Sequence, residues 1–253
     1  MASRLDFPND PLKDGEVLLQ GAILHRLSRV DALVIVDVGA NTGQWSTFLL
    51  HELKRIGRRR VDLHVFEPSP AAFQILEANL SLAADSIRLV CNQRAVSNFT
   101  GSAEFSIVGP LSQVNTLVPL ERTSTLETLT VSCVTLDDYC REEGLSRIHF
   151  AKIDTEGNDF RVLGGAQRLL REARIDYLQF EYNHRWIAFR SYLKDVFDLI
   201  KPYGYVVGKI TPEGVEFYER WDPELERFLE GNYLLCRADY RSQLPSVRWW
   251  GDA

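Results

Sequence analysis

Short, almost wholly apolar runs alternate along this chain with longer stretches whose apolar residues recur at helical spacing. Residues 33–38, 61–66, 87–91, 148–153 and 175–180 predict strands, and the almost wholly apolar 33–38 predicts a central strand covered on both faces. Around them, 16–30, 44–56, 71–80, 136–141, 158–171 and 189–200 predict helices. The first has Val17, Leu18, Ile23, Leu24 and Leu27 at nearly helical spacing, and the second buries Trp45, Phe48, Leu49, Leu53 and Ile56. Strands and helices in alternation predict an open α/β sheet. Residues 205–210 and 233–236 read as a closing antiparallel pair, Gly214 as a turn before the short run 215–218, and 223–229 as an acidic surface helix.

The rhythm fails between about 98 and 134. There 103–108 reads as a strand, Gly109-Pro110 as a turn, and the Thr/Ser-rich stretch 115–130 as an insertion with edge-strand or flexible character. Its length suits a lid or substrate-facing element, with a merely decorative hairpin as the alternative. No repeat or interdomain linker interrupts the pattern. One domain is therefore expected over 1–253, with an N-terminal arm and helix over 1–30 and the insertion at about 98–134.

Composition adds exclusions. The 253 residues carry a formal charge of -6, which gives no support for nucleic acid as a partner. Arg58-Arg59-Arg60 reads as a solvated turn. The four cysteines are widely spaced without a C-x-x-C pair, so reduced thiols are the default. No apolar leader and no run of membrane-spanning length occurs, so a cytoplasmic protein without a membrane partner is expected. Whether it forms a homo-oligomer is open, and the Trp249-Trp250 tail reads as folded back on its own domain.

Candidate chemistry sits at the strand ends, where open α/β sheets bind ligands. Asp37, Glu67, Asp154 and Glu181 stand at or near four of them. Between Asp37 and the second helix, Gly39 and Gly43 follow G-x-x-x-G, not the G-x-G-x-x-G of dinucleotide binders, and no lysine follows Gly43 to make a P-loop. This combination points to a cofactor with a ribose to grip and no pyrophosphate to cradle. Glu67, with Pro68 just beyond it, is placed to accept hydrogen bonds from two ribose hydroxyls. Asp37 either fixes the turn or reaches the cofactor through water.

Asp154 could act as a base, orient a substrate or help hold a metal. Lys152, in an otherwise apolar strand, is either at an edge or paired with an acid such as Asp154 or Glu181. His184, with an ordinary pKa near neutrality, could shuttle a proton. Asp154, Glu181 and His184 together could also ligate a divalent ion such as Mg²⁺. Tyr182 and Trp186 are candidate substrate-facing aromatics.

Val36 to Gly43, Phe66-Glu67-Pro68, Ala95-Val96-Ser97, Lys152-Ile153-Asp154-Thr155-Glu156-Gly157 and Val162 to Ala166 resemble the FkbM family of S-adenosyl-L-methionine-dependent methyltransferases. The likeness covers roughly 33–235. It implies a Rossmann-like class I fold with a seven-stranded, mostly parallel sheet whose last strand is antiparallel, and helices on both faces. By position, Gly39, Asn41 and Gly43 would line the methionine portion of the cofactor and Glu67 the ribose. Asn92 to Val96, including Ala95, would lie on the adenine side, and Asp154 and Glu181 would border the transfer cleft. The family implies O-methylation of a sugar, glycan or other small-molecule natural product. An NAD-dependent oxidoreductase or a non-catalytic nucleoside-binding scaffold are the competing readings.

Overall fold

The computed structural model describes residues 13–58, 60–81, 87–119 and 125–248. Most of the expected arm, Arg59 of the basic cluster and the Trp249-Trp250 tail lie outside them. The strands are β1 (Leu33–Val38), β2 (Val61–Phe66), β3 (Arg88–Asn92), β4 (Ala95–Val96), β5 (Gly101–Ile107), β6 (Glu127–Val134), β7 (Ile148–Ile153), β8 (Ile175–Tyr182), β9 (Tyr205–Thr211), β10 (Gly214–Tyr218), β11 (Gly231–Arg237) and β12 (Ser246–Val247). The helices are α1 (Glu16–Arg26), α2 (Gln44–Arg55), α3 (Pro70–Ser81), α4 (Leu136–Glu142), α5 (Asp159–Gly164), α6 (Gln167–Arg171) and α7 (Leu193–Ile200).

The sheet corrects the expectation of seven, mostly parallel strands. It has nine strands and is mixed, in the order β12-β10-β9-β11-β8-β7-β1-β2-β3. From β3 to β8 every pair is parallel, whereas β11 runs antiparallel to both β8 and β9. The additional strands arise at the Pro212-Glu213 turn, where the Thr211 hydroxyl donates to the Gly214 carbonyl at 2.8 Å and folds β10 back on β9. β12 then pairs with β10. The short run after Gly214 was thus a full partner strand, buried throughout.

β4, β5 and β6 form a separate three-stranded sheet, in the order β4-β6-β5. β4, of two residues, is its shortest strand. Elsewhere the expected helices shorten. The one over 158–171 breaks at Gly164-Gly165 into α5 and α6, and the one over 189–200 starts only at Leu193. The acidic stretch 223–229 holds a single 3-10 turn, Pro223–Leu225.

Apolar packing covers both faces of the large sheet. On one, Val36, Ile153, Leu178 and Phe180 meet Leu163, Leu169 and Val196 of the later helices. On the other, Ile35, Leu63, Phe150 and Tyr177 meet Ile23 of α1, Leu49 of α2 and Leu76 of α3. Burying each of these side chains contributes about 1.5–3 kcal/mol. No helix among the described residues is long and apolar enough to cross a membrane.

The carboxyl ends of β1 and β7 touch at Gly39. Its φ of 78° is a conformation that L side chains rarely adopt, and a Cβ there would collide with the Asp154 carbonyl oxygen. Gly39→Ala should therefore destabilise the protein by about 2–5 kcal/mol in urea denaturation, combining strain with a backbone clash. Gly57 has a φ of 69° but open space around it, so Gly57→Ala should cost only about 1 kcal/mol. Equal losses would show that the contact with Asp154 adds nothing.

Candidate active site

The turn after β1 is tied to β2 through its backbone. The Gly39 and Ala40 amides donate to the Phe66 carbonyl at 3.0 and 2.9 Å, and the Asn41 amide donates to Glu67 Oε2 at 2.8 Å. Glu67 Oε1 accepts from the Ser69 amide at 2.8 Å. One carboxylate thus joins the turn to the start of α3, with a further lone pair free on each oxygen. Glu67 is 6% exposed and lines a cleft outside the carboxyl ends of β1, β2, β7 and β8. Burial pushes its carboxyl up to about 7, against the lowering effect of the Ser69 and Asn41 amides.

The cleft also receives Gly39, Asn41, Ala95, Asp154 and Glu181 of the expected residues. Four others do not line it. Asp37 is 0% exposed, accepts a 2.7 Å hydrogen bond from the Ser46 hydroxyl and lies beneath the cleft floor. Gly43 is needed for another reason: its φ is 87° and a Cβ would come within 2.8 Å of Leu76 on α3. The Asn92 amide is turned away, donating to the Val65 carbonyl and the Tyr139 hydroxyl at 3.1 Å. His184 begins an exposed 3-10 turn away from the cleft. Tyr182 and Trp186 are core residues, with the Tyr182 hydroxyl donating to Glu226 and the Trp186 indole to the Glu181 carbonyl.

Lys152 lies on the central strand β7, in register with Asp37 on β1 and Gln179 on β8. It is not at an edge. Its ammonium pairs with Asp154 Oδ2 at 2.8 Å. Burial works against its charge, but Asp154, Asp37 and Glu16 outweigh burial and hold its pKa above the ordinary lysine value. The Asp154 side chain keeps 31% exposure toward the cleft.

Glu156 replaces His184 as the third member of the acidic group. One oxygen each of Asp154, Glu156 and Glu181 lies within 4.8 Å of the others. Arg185 pairs with Glu156 at 3.0 Å, and Asn183 donates to Glu181 Oε2 at 2.6 Å. Burial, then the Asp154 charge, push both glutamates well above the usual carboxylate range. Three oxygen donors of this kind suit a hard divalent cation.

The insertion supplies a wall. Phe105, Ser112, Gln113, Asn115 and Leu117 face the cleft, and the Thr116 hydroxyl donates to the Glu156 carbonyl at 3.1 Å. Glu16, Gln44, Trp45 and Asn232 are among the lining residues that the sequence does not mark as cleft residues. Glu16 and Gln20 continue the stripe of Ile23 and Leu27 toward the start of α1, so polar residues in an apolar register were the available signal.

A double-covered α/β sheet with an acid-rimmed cleft at its strand ends is the arrangement in which open α/β proteins gather their ligands. Residues 37–207 match the methyltransferase FkbM domain, and the chain belongs to this family of S-adenosylmethionine-dependent methyltransferases. It is similar to the 31-O-demethyl-FK506 methyltransferase FkbM of Streptomyces tacrolimicus, 26% identical over 217 residues that make up 75% of each chain. It is likewise similar to the 2-O-methyltransferase NoeI of Sinorhizobium fredii (strain NBRC 101917 / NGR234), 26% identical over 72% of this chain and 76% of that one. Among solved structures, a methyltransferase FkbM from Methylobacillus flagellatus KT shares the fold, with a TM-score of 0.53 and 19% identity over 85% of this chain. The chain spans 47% of that solved chain and 59% of a further curated relative.

The buried acids make a prediction about pH. Glu16, Glu67 and Asp159 are each pushed up to about 7, burial being the largest cause in every case. Above the ordinary carboxylate range the unfolded chain has released these protons while the native state still holds them, so stability falls as pH rises through 7. His64 and His149, lowered by burial, oppose this trend only below about 6.5. Thermal unfolding of the ligand-free protein should therefore rise from pH 8 to 6.5, by about 2–4 °C for each kcal/mol regained. A flat or falling profile in calorimetry would contradict these shifts.

Proposed function

We propose that this protein transfers a methyl group from S-adenosylmethionine to a hydroxyl oxygen of a sugar, glycan or natural-product small molecule. The observation that carries this reading is that Glu67 and Asp154 line one cleft, walled by the insertion. The family supports the transferase class, and two relatives named for O-methylation support oxygen as the acceptor atom. The residues fit the cofactor. Glu67 has lone pairs left for the two ribose hydroxyls, and Ala95 offers a small, buried surface beside them.

S-adenosylmethionine, when bound, supplies an already activated methyl group, so much of the rate can come from positioning. The chain's own task is to hold the acceptor hydroxyl in line and take its proton. Asp154 is the more exposed of the two cleft carboxylates that have a cationic partner, 31% against 14% for Glu156, and it accepts that proton. His184 is exposed and is not among the residues that line the cleft. Where a divalent cation is held, Asp154, Glu156 and Glu181 would ligate it, and it would acidify the acceptor hydroxyl.

Two substitutions separate these roles. Glu67→Ala removes both ribose acceptors and the brace on Asn41, and should weaken cofactor binding by about 10–100-fold in calorimetry. Unchanged affinity would remove the ribose assignment. Asp154→Asn should lower kcat by about 10²–10⁴ in a methyl-transfer assay with polyhydroxylated acceptors, with cofactor affinity within about twofold. Full turnover would refute Asp154 as the base.

A further inference from the structure

We infer that Glu16 of α1 and the indole N–H of Trp45 form the subsite for the amino-acid end of the cofactor, Glu16 accepting from its ammonium and Trp45 donating to its carboxylate. This rests on the cofactor reading above and extends it to a helix that lies outside the family match at 37–207.

The argument begins with charge. Glu16 is 5% exposed and lines the cleft beside Gly39 and Lys152. Lys152 is the cation that Glu16, Asp37 and Asp154 all act on electrostatically, so three carboxylates share it. A buried carboxylate in excess over its cations favours a cationic ligand group, because burial makes an unpaired charge costly. Of the three, Asp154 already takes the lysine at 2.8 Å and Asp37 is sealed from the cleft. Glu16 is the member free to meet a ligand.

Trp45 gives an independent observation. It is 7% exposed and lines the same cleft, yet its indole nitrogen is buried with no hydrogen-bond partner. An indole N–H is a donor only, and a buried one ordinarily finds an acceptor. A carboxylate acceptor next to an ammonium donor describes a zwitterionic α-amino acid. The first turns of α1 and α2 are tied by the Gln20 amide, which donates to the Trp45 carbonyl at 3.4 Å, one turn beyond Glu16 on α1. On the far side of the turn, Glu67 is left for the nucleoside.

Calorimetry on the full chain tests this with two ligands, S-adenosylhomocysteine and 5′-methylthioadenosine, which share the nucleoside and differ in the amino-acid end. Glu16→Gln should weaken S-adenosylhomocysteine by about 10-fold or more, the loss expected of one charge-assisted hydrogen bond. It should leave 5′-methylthioadenosine within about twofold. Trp45→Phe keeps the ring and should show the same selectivity, which covers the case in which the first variant folds poorly. Glu67→Gln should weaken both ligands. If Glu16→Gln and Trp45→Phe bind S-adenosylhomocysteine like the wild type, or lose both ligands equally, the subsite is overturned while the cofactor reading stands. Wild-type protein that binds neither ligand overturns both.

Discussion

The site depends on a close approach of two backbones. β1 and β7 are parallel neighbours at the centre of the sheet, and their carboxyl ends must diverge to open a cleft. They do so with Gly39 against the Asp154 carbonyl, while the Asp154 amide donates to Val38 at 2.9 Å. That contact sets the turn over Asn41 and the loop over Asp154 at a fixed separation. Glu67 then locks the turn from the β2 side through the Asn41 amide. The glycine in the motif is therefore required by the protein's own packing before any ligand is considered.

Burying Lys152 is the second constraint. A lysine in the middle of a central strand is costly unless opposite charges surround it, and Asp154, Asp37 and Glu16 come from three different elements to do so. This arrangement has a consequence for chemistry. Beside the Lys152–Asp154 pair, burial and then the Asp154 charge push Glu156 and Glu181 toward their protonated forms.

Much of this could be read in the sequence, and the gaps have physical causes. The central strands, Glu67 and Asp154 were legible because a buried parallel strand needs an unbroken apolar run and its end exposes the next polar residue. The Lys152 pair was one of two open readings, and register with β1 and β8 decided it. The turn at Gly214 and the short run after it were legible, but five residues carry too little periodicity to declare β9 as their partner. Asp37, Asn92 and His184 do not line the cleft, because a residue's position at a strand end does not say which face its side chain takes. Ser46, Tyr139 and solvent, respectively, are their neighbours, and only packing reveals them. Glu16 was read as part of a core helix, since nothing local marks the first turn of α1 as reaching the cleft.

On the proposed function, the cleft has walls of two origins, and this bears on how an acceptor is chosen. The floor is made of strand ends, whose positions are set by sheet register and tolerate little change. The opposite wall comes from the small sheet, where Phe105 and Leu117 are apolar and Ser112, Gln113 and Asn115 polar. A surface of mixed character suits a polyhydroxylated molecule, whose ring faces are apolar and whose edges hydrogen-bond. The wall is not independent of the floor, because Thr116 holds the Glu156 carbonyl and Glu156 belongs to the acidic group. A change in the loop over 108–117 would thus shift both the acceptor's contacts and the Glu156 carboxylate beside Asp154. Acceptor choice and proton transfer are then coupled through one hydrogen bond, and exchanging the insertion alone should not transfer specificity without also altering turnover.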